Sequence, residues 1–203
     1  MTHMITTADI ARAIDCIHAR ISAIRDELNA ADRVLGDGDT GMTVEQIVEV
    51  WHNVARGLPD DVGQALTVLG RETRRASGST LGSVIGIALS AAGKQAIGHV
   101  QIDRDRTIEM LTAATSAIAS RSGATQGDKT VLDALVRIEQ SLAKAHSDAL
   151  LETALGAAAS AISDFREREA RVGRARIYGA RSVGHDDPGM LAALLVLRAV
   201  AAG

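Results

Sequence analysis

Gly36-Asp37-Gly38-Asp39-Thr40-Gly41 interrupts two stretches of helical periodicity, and Asp32 stands five residues before Asp37. On the N-terminal side Ile10, Ile14, Ile17, Ile21, Ile24 and Leu28 recur at three and four residues. That spacing predicts one amphipathic helix starting near Thr7 and running into the acidic stretch. On the other side Thr43-Val44-Glu45-Gln46 has capping-box spacing and predicts a second helix, through Val48, Val50 and Val54 to Gly57. With helical period on both flanks and no strand alternation, the stretch reads as a helix–loop–helix junction and sets an all-α expectation for the chain.

Three carboxylates fall within eight positions here, with no Lys or Arg inside the hexapeptide. Like charges this close repel one another unless a cation sits among them. Carboxylate oxygens are hard donors that suit Mg²⁺, Ca²⁺ or Mn²⁺ rather than zinc. The competing reading is an Asp- and Gly-rich surface turn. An EF-hand loop begun at Asp37 would need Gly at its sixth position and Glu at its twelfth, where Met42 and Val48 stand, and one begun at Asp32 would need a ligand at Val34, so the pattern fits a Ca²⁺ sensor poorly.

Further along, Pro59-Asp60-Asp61 starts a third helix towards Ala76, and Ser77-Gly78-Ser79-Thr80 breaks the chain before an apolar helix of about 80 to 96. The apolar run from Gly82 to Gly98 contains Lys94, is short for a membrane span, and reads as a buried core helix. Asp103 caps a fifth helix, a polar loop runs from Arg121 to Gly127, and two helices follow around Leu132 and Leu155. Val172 to Pro188 is a Gly- and Arg-rich loop without helical period, and Met190 to Ala201 closes the chain as an eighth helix. The expectation is a single all-α domain over residues 1–203, built of about eight amphipathic helices.

Composition narrows the class. Apolar residues make up 46% but aromatics only 1%, so the helices must pack closely through small side chains. A net charge of −3 without a basic block leaves no footprint for nucleic acid. Arg71, Arg74 and Arg75 read as a solvated helix face. The single Cys16 permits no intrachain disulfide or zinc motif and reads as a buried thiol. Neither a signal peptide nor a membrane span is expected, which points to a soluble cytoplasmic protein. His3, His18, His52, His99 and His146 are scattered and read as surface or satisfied core residues. Gly127-Asp128-Lys129-Thr130 lacks the spacing of a Walker A loop. Asp128 there reads as the favoured acid of a helix N-terminus and Lys129 as exposed.

The region near the C-terminus carries Gly173-Arg174-Ala175-Arg176 and then Arg181-Ser182-Val183-Gly184-His185-Asp186-Asp187-Pro188-Gly189. Arginines and glycines leading into a helix N-terminus describe an anion clamp. Combined with the carboxylate cluster, a phosphate–metal site explains both features better than two unrelated loops.

Four segments together resemble the L subunit of dihydroxyacetone kinase, the DhaL or DAK2 domain: Asp32 to Gly41, Ala76-Ser77-Gly78, Gly127 to Asp133, and Gly173 to Gly189. Their order and spacing match over essentially the whole chain. The resemblance implies an antiparallel barrel of eight amphipathic helices with a nucleotide–Mg²⁺ site at one end. It implies that Asp32, Asp37 and Asp39 hold two Mg²⁺ ions, and that Thr40, Gly41, Met42, Thr43, Ala76, Ser77, Ser122, Val131, Arg174, Asp187, Pro188 and Gly189 contact ADP or ATP. Family subunits often carry His at the Thr40 position, Asn at Thr43, Gly at Ser122 and Met at Val131.

The activity implied is phosphotransfer of the glycerone (dihydroxyacetone) kinase type, in which a separate DhaK-like subunit holds the ketose and this chain presents the phosphoryl donor. Asp32, Asp37, Asp39 and Arg174 would carry the transfer. The implied modes include phosphoenolpyruvate-dependent recharging of bound ADP by a DhaM-like phosphohistidine protein, another small sugar such as erythrulose, and a regulatory contact with a transcription factor. A homodimer is a further expectation.

Overall fold

The computed structural model describes residues 4–145 and 149–203, so His3 and His146 lie outside the described residues. Nine α-helices are found among the described residues: α1 (Thr7–His18), α2 (Ile21–Leu35), α3 (Thr40–Ala55), α4 (Val62–Ala76), α5 (Thr80–Gln95), α6 (Arg104–Ser122), α7 (Val131–Lys144), α8 (Leu150–Arg166) and α9 (Pro188–Ala201). A 3-10 segment (Arg174–Ser182) precedes α9. The only strands among those residues, β1 (Ile5–Thr6) and β2 (Gln101–Ile102), pair antiparallel over two residues each.

From α2 onward each helix packs on its successor, and α9 returns to α2, which closes a ring of eight. Short connections between such neighbours reverse the chain at every step, giving an antiparallel barrel. The connections α2–α3, α4–α5, α6–α7 and α8–α9 therefore share one end. The opposite end is tied by other contacts: Thr7 Oγ1 donates to the carbonyl of Asp60, the Gly98 N–H to Asp61 Oδ2 at 2.6 Å, and Arg20 Nη2 to the carbonyl of Ala202 at 2.7 Å. The all-α expectation holds, with two differences in how the helices divide.

The single helix expected from Thr7 is two. The chain turns at Ala19-Arg20, where the Arg20 N–H reaches back to the Ile17 carbonyl at 3.0 Å. Ile14, Ile17, Ile21, Ile24 and Leu28 are nevertheless all buried, so the apolar period runs through the turn and conceals it. Secondly, α3 begins at Thr40 with Asp39 at its N-cap, so Thr43 lies within the first turn and does not cap it. The Val172 to Pro188 loop likewise contains the 3-10 turns, kinked where Gly179 leaves helical geometry.

Scarcity of aromatic volume shows in how α4 and α5 meet. A Cβ added at Gly70 would lie 2.8 Å from the Gly86 carbonyl oxygen, and one at Gly93 would lie 2.7 Å from that of Gly63. The two backbones touch along a glycine seam, and α5 buries only Gly82, Gly86 and Gly93, its other residues being half-buried or, at Thr80, Lys94 and Gln95, exposed. The expected buried core helix is thus a barrel stave. Arg74 is exposed like Arg71 and Arg75, and its Nη1 also donates to the Gly86 carbonyl at 2.8 Å and to Ser90 Oγ at 2.7 Å, across the same seam. Arg71 and Arg75 both flank Glu72 on the exposed side. Cys16 is only half-buried.

The main core joins α2, α3, α7, α8 and α9 around Leu28, Val48, Ile138, Phe165 and Met190, and a second core lies between α1 and α4. Trp51 packs against both, and its indole N–H donates to Thr73 Oγ1 at 2.8 Å. Six of the nine helix starts among the described residues are also specified locally by a capping side chain. Thr6 forms a capping box with Asp9, Thr130 forms one with Asp133, and Asp61, Ser79, Asp103 and Asp187 cap their helices with side-chain oxygens.

The seam separates two kinds of glycine. Gly70→Ala forces a methyl against backbone and is expected to destabilise by about 1–3 kcal/mol. Gly156, exposed inside α8 with nothing within 4 Å of an added Cβ, should behave oppositely, Gly156→Ala stabilising by about 0.5–1 kcal/mol. Urea denaturation midpoints of the two variants against the parent chain test the pair.

Candidate functional site

The site is built on Asp32. It stands on the apolar face of α2, one turn beyond Leu28, and is 6% exposed. Its Oδ2 accepts the backbone N–H of Asp39 at 3.0 Å and of Thr40 at 3.1 Å. The first turn of α3 therefore closes onto a carboxylate from the preceding helix, where the helix macrodipole favours negative charge. Beside it, Asn29 Oδ1 accepts the Gly41 N–H at 2.8 Å, and a Cβ at Gly41 would lie 2.1 Å from the Arg25 carbonyl oxygen. The amides of Thr40 and Gly41 are thus engaged by Asp32 and Asn29. Two of the free N–H groups at the start of α3 are therefore already occupied.

Gly36 and Gly38 carry the chain around this point. A Cβ at Gly36 would fall 2.2 Å from Asp32 Oδ1, and Gly38 takes φ +78°, a conformation that favours glycine. The result brings one oxygen each of Asp32, Asp37 and Asp39 within 4.8 Å of one another, with Asp32 buried and the other two exposed. Arg174, from the far part of the chain, forms an ion pair with Asp37 through Nη1 and lies 3.9 Å from Asp39 Oδ1. Three hard oxygen donors at this spacing fit a divalent cation, and the guanidinium beside them fits a phosphate.

The remaining site residues cluster at the same barrel end by topology. Met42 is 61% exposed and Thr43 half-buried, both on the first turn of α3. Ala76 and Ser77 end α4, where Ser77 Oγ hydrogen-bonds Ser79 Oγ at 2.8 Å. Ser122 ends α6, with its hydroxyl donating to the Ile118 carbonyl at 2.7 Å. Val131 begins α7 and meets the start of α9, since a Cβ at Gly189 would lie 3.3 Å from Val131 Cβ. Direct contacts thus join Asp32, Asp37, Asp39 and Arg174 in one group and Val131 and Gly189 in another. Ala76, Ser77 and Ser122 share only the barrel end with them.

Gly127 to Thr130 departs from the expectation. Lys129 is 1% exposed, and its ammonium donates to the carbonyls of Arg166 at 3.1 Å, Arg168 at 2.8 Å and Ser182 at 2.8 Å. Asp128 is buried too, accepting the N–H and hydroxyl of Thr125, while Asp133 supplies the acid of the helix N-terminus. The segment supports the Arg174 region from beneath. Asn29, Lys129, Asp133 and Ser182 were all missed as support residues. Asn29 had one signal, a polar residue on the apolar face of α2; the lysine's three carbonyl partners lie 37 to 53 positions away and leave no local pattern.

A family model described as the DAK2 domain matches residues 34–202. The chain belongs to the DAK2 domain family. Among DAK2 relatives, an L-erythrulose 1-kinase of Mycolicibacterium smegmatis is 34% identical over 86% of this chain and 32% of its own length. The ADP-binding subunit DhaL of the PEP-dependent dihydroxyacetone kinase of Escherichia coli is 28% identical over 86% of each chain. The crystal structure of the dihydroxyacetone kinase from C. freundii in complex with AMP-PNP and Mg²⁺ superposes with a TM-score of 0.75 at 24% identity, covering all of this chain and 35% of that one. This likeness establishes the DAK2 fold for the barrel. The chain spans about a third of the length of the erythrulose kinase and nearly the full length of the DhaL subunit. No helix among the described residues is long and apolar enough to cross a membrane.

Asp187, the N-cap of α9, has the largest electrostatic perturbation at the site. Burial raises its carboxyl from 3.8 to about 6, against the lowering pull of the Met190 and Gly189 N–H groups and of Lys129, while Asp133 raises it further. The folded chain thus holds this proton more tightly than the unfolded chain. The stability it contributes is complete below about pH 4 and is lost as pH rises through about 6, a swing of up to roughly 3 kcal/mol. Asp187→Asn keeps a capping oxygen without the charge. Its stability relative to the parent should therefore improve between about pH 4 and about pH 7, as measured by urea midpoints across that range.

Proposed function

We propose that this chain is the nucleotide- and Mg²⁺-binding component of a dihydroxyacetone-type kinase, passing a phosphoryl group to a ketose held by a separate DhaK-like subunit. The supporting observation is the meeting of Asp32, Asp37 and Asp39 with Arg174 at one barrel end, in a chain of the DAK2 family. Asp32, Asp37 and Asp39 would hold two Mg²⁺ ions, which when bound supply charge neutralisation to the phosphates of ADP or ATP. The buried Asp32 has the lowest freedom of the three, because two backbone amides fix it; Asp37 and Asp39 approach from the exposed loop.

Arg174 lies against the same carboxylates and can fork to a phosphate oxygen without crossing the site. Val131 and Gly189, with Ala76, Ser77, Ser122, Pro188 and the Thr40 to Thr43 turn, would frame the rest of the nucleotide. No general base on this chain is required, since activation of the sugar hydroxyl belongs to the component that binds the sugar. The barrel itself accounts for the donor half of the reaction, as expected for one domain of a two-component transfer.

Erythrulose is the second sugar to test, because the relative at 34% identity is named an L-erythrulose 1-kinase. Purification without added nucleotide, followed by mass spectrometry of the released small molecule, tests the cofactor mode. Retained ADP supports recharging of a bound nucleotide, whereas an empty site supports exchange with ATP. With a DhaK-like partner supplied, Asp37→Asn is expected to reduce phosphotransfer to either sugar by at least about a thousandfold. Unchanged turnover in the reconstituted mixture would overturn the metal assignment.

A further inference from the structure

The segment between α8 and α9 has little core of its own. Within residues 167–187 only Ala170, Ala175 and Ser182 are buried, and they form a small cluster with Leu35 and Tyr178 or lie beside it. It still carries Arg174 to the aspartates and ends at Asp187, the cap of α9. Its position must come from polar ties, and these converge on one place. The Arg171 N–H donates to the Asp128 carbonyl at 3.1 Å, the Gly184 N–H to the Arg166 carbonyl at 2.9 Å, and the Ala170 N–H to Ser182 Oγ at 2.8 Å.

Lys129 stands at the centre of these ties. Its three ammonium donors reach the carbonyls of Arg166 and Arg168, where the segment leaves α8, and of Ser182, where it turns towards α9. The inventory is complete, three donors for three acceptors. The Arg166 carbonyl ends a helix, where a cation is favoured. Lys129 is also the only residue other than glycine with positive φ among the described residues, at +61°. A left-handed backbone at a lysine costs energy, so the surrounding contacts hold it there.

We propose that Lys129 is a positioning residue whose buried ammonium clamps both ends of the 167–181 segment and so sets Arg174 and Asp187 for the nucleotide. This rests on the nucleotide-site reading above. The clamp acts on main-chain carbonyls, so the segment's own side chains are free to serve the ligand. Removing the charge should release the segment locally and leave the barrel folded, because the helix cores do not depend on it.

The segment supplies its own probe: Arg168, Arg171, Arg174, Arg176 and Arg181 are trypsin sites. In Lys129→Met, tryptic cleavage between residues 167 and 181 is expected to accelerate by about tenfold or more, and affinity for magnesium-ADP, measured by calorimetry, to fall by about tenfold or more. Helical circular dichroism should stay at the parent level. Lys129→Gln, which keeps two N–H donors, should fall between the parent and Lys129→Met on both measures.

Faster cleavage with unchanged magnesium-ADP affinity overturns the proposal, since the clamp would then be structural only. Unchanged cleavage overturns it as well. Global unfolding of Lys129→Gln overturns it too, because the ammonium would then support the core and not the segment. Failure of the underlying functional reading looks different: the parent chain itself binds no magnesium-ADP, with its segment fully protected from trypsin.

Discussion

Asp32 accepting the amides of Asp39 and Thr40 is the interaction on which the rest of the site depends. It fixes the start of α3 relative to the end of α2, and the intervening loop then has room for only one course. Gly36 lies so close to Asp32 that a methyl there would overlap its carboxylate, and Gly38 supplies the reversal. A carboxylate on an apolar helix face would be costly if left alone. Here the helix N-terminus satisfies it, and in doing so draws Asp37 and Asp39 towards the same point. The charge cluster is a consequence of how two helices are joined.

Barrel topology then determines what meets that cluster. Because neighbouring helices alternate in direction, every second connection arrives at the same end. The acidic loop, the Ser77 turn, the Lys129 turn and the Arg174 segment each occupy one of those connections. Segments separated by more than a hundred residues thereby share one rim, and Arg174 reaches Asp37 with no other structural device. Close helix contact keeps that rim compact. The glycine seam between α4 and α5 lets two staves approach to backbone contact in a chain with almost no aromatic side chains.

Much of this was legible in the sequence, and the reasons are local. Capping signals at Asp61, Ser79 and Asp103 lie beside the helices they start, so those boundaries could be read directly. The carboxylates were conspicuous because they crowd into a few positions without a counter-charge. What escaped depended on distant partners or on geometry that period does not encode. The turn at Ala19-Arg20 preserves the isoleucine spacing, so hydrophobic periodicity runs through it unbroken. Asp39 starts α3 without a side-chain cap of its own, so the capping-box spacing at Thr43 attracted the reading instead. Lys129 looked exposed because lysine usually is, and its partners are carbonyls, which carry no residue identity.

The scarcity of aromatic residues gives the chain an optical property. Trp51 is its single tryptophan, placed on α3 where the two hydrophobic cores adjoin and hydrogen-bonded to a threonine of α4 that is fully buried. Its emission therefore reports one location, with no second indole to dilute the signal. α3 is also the helix whose first turn is held by Asp32, three turns away along the same rigid rod. The native chain therefore carries one built-in fluorophore on the helix that its acidic loop begins.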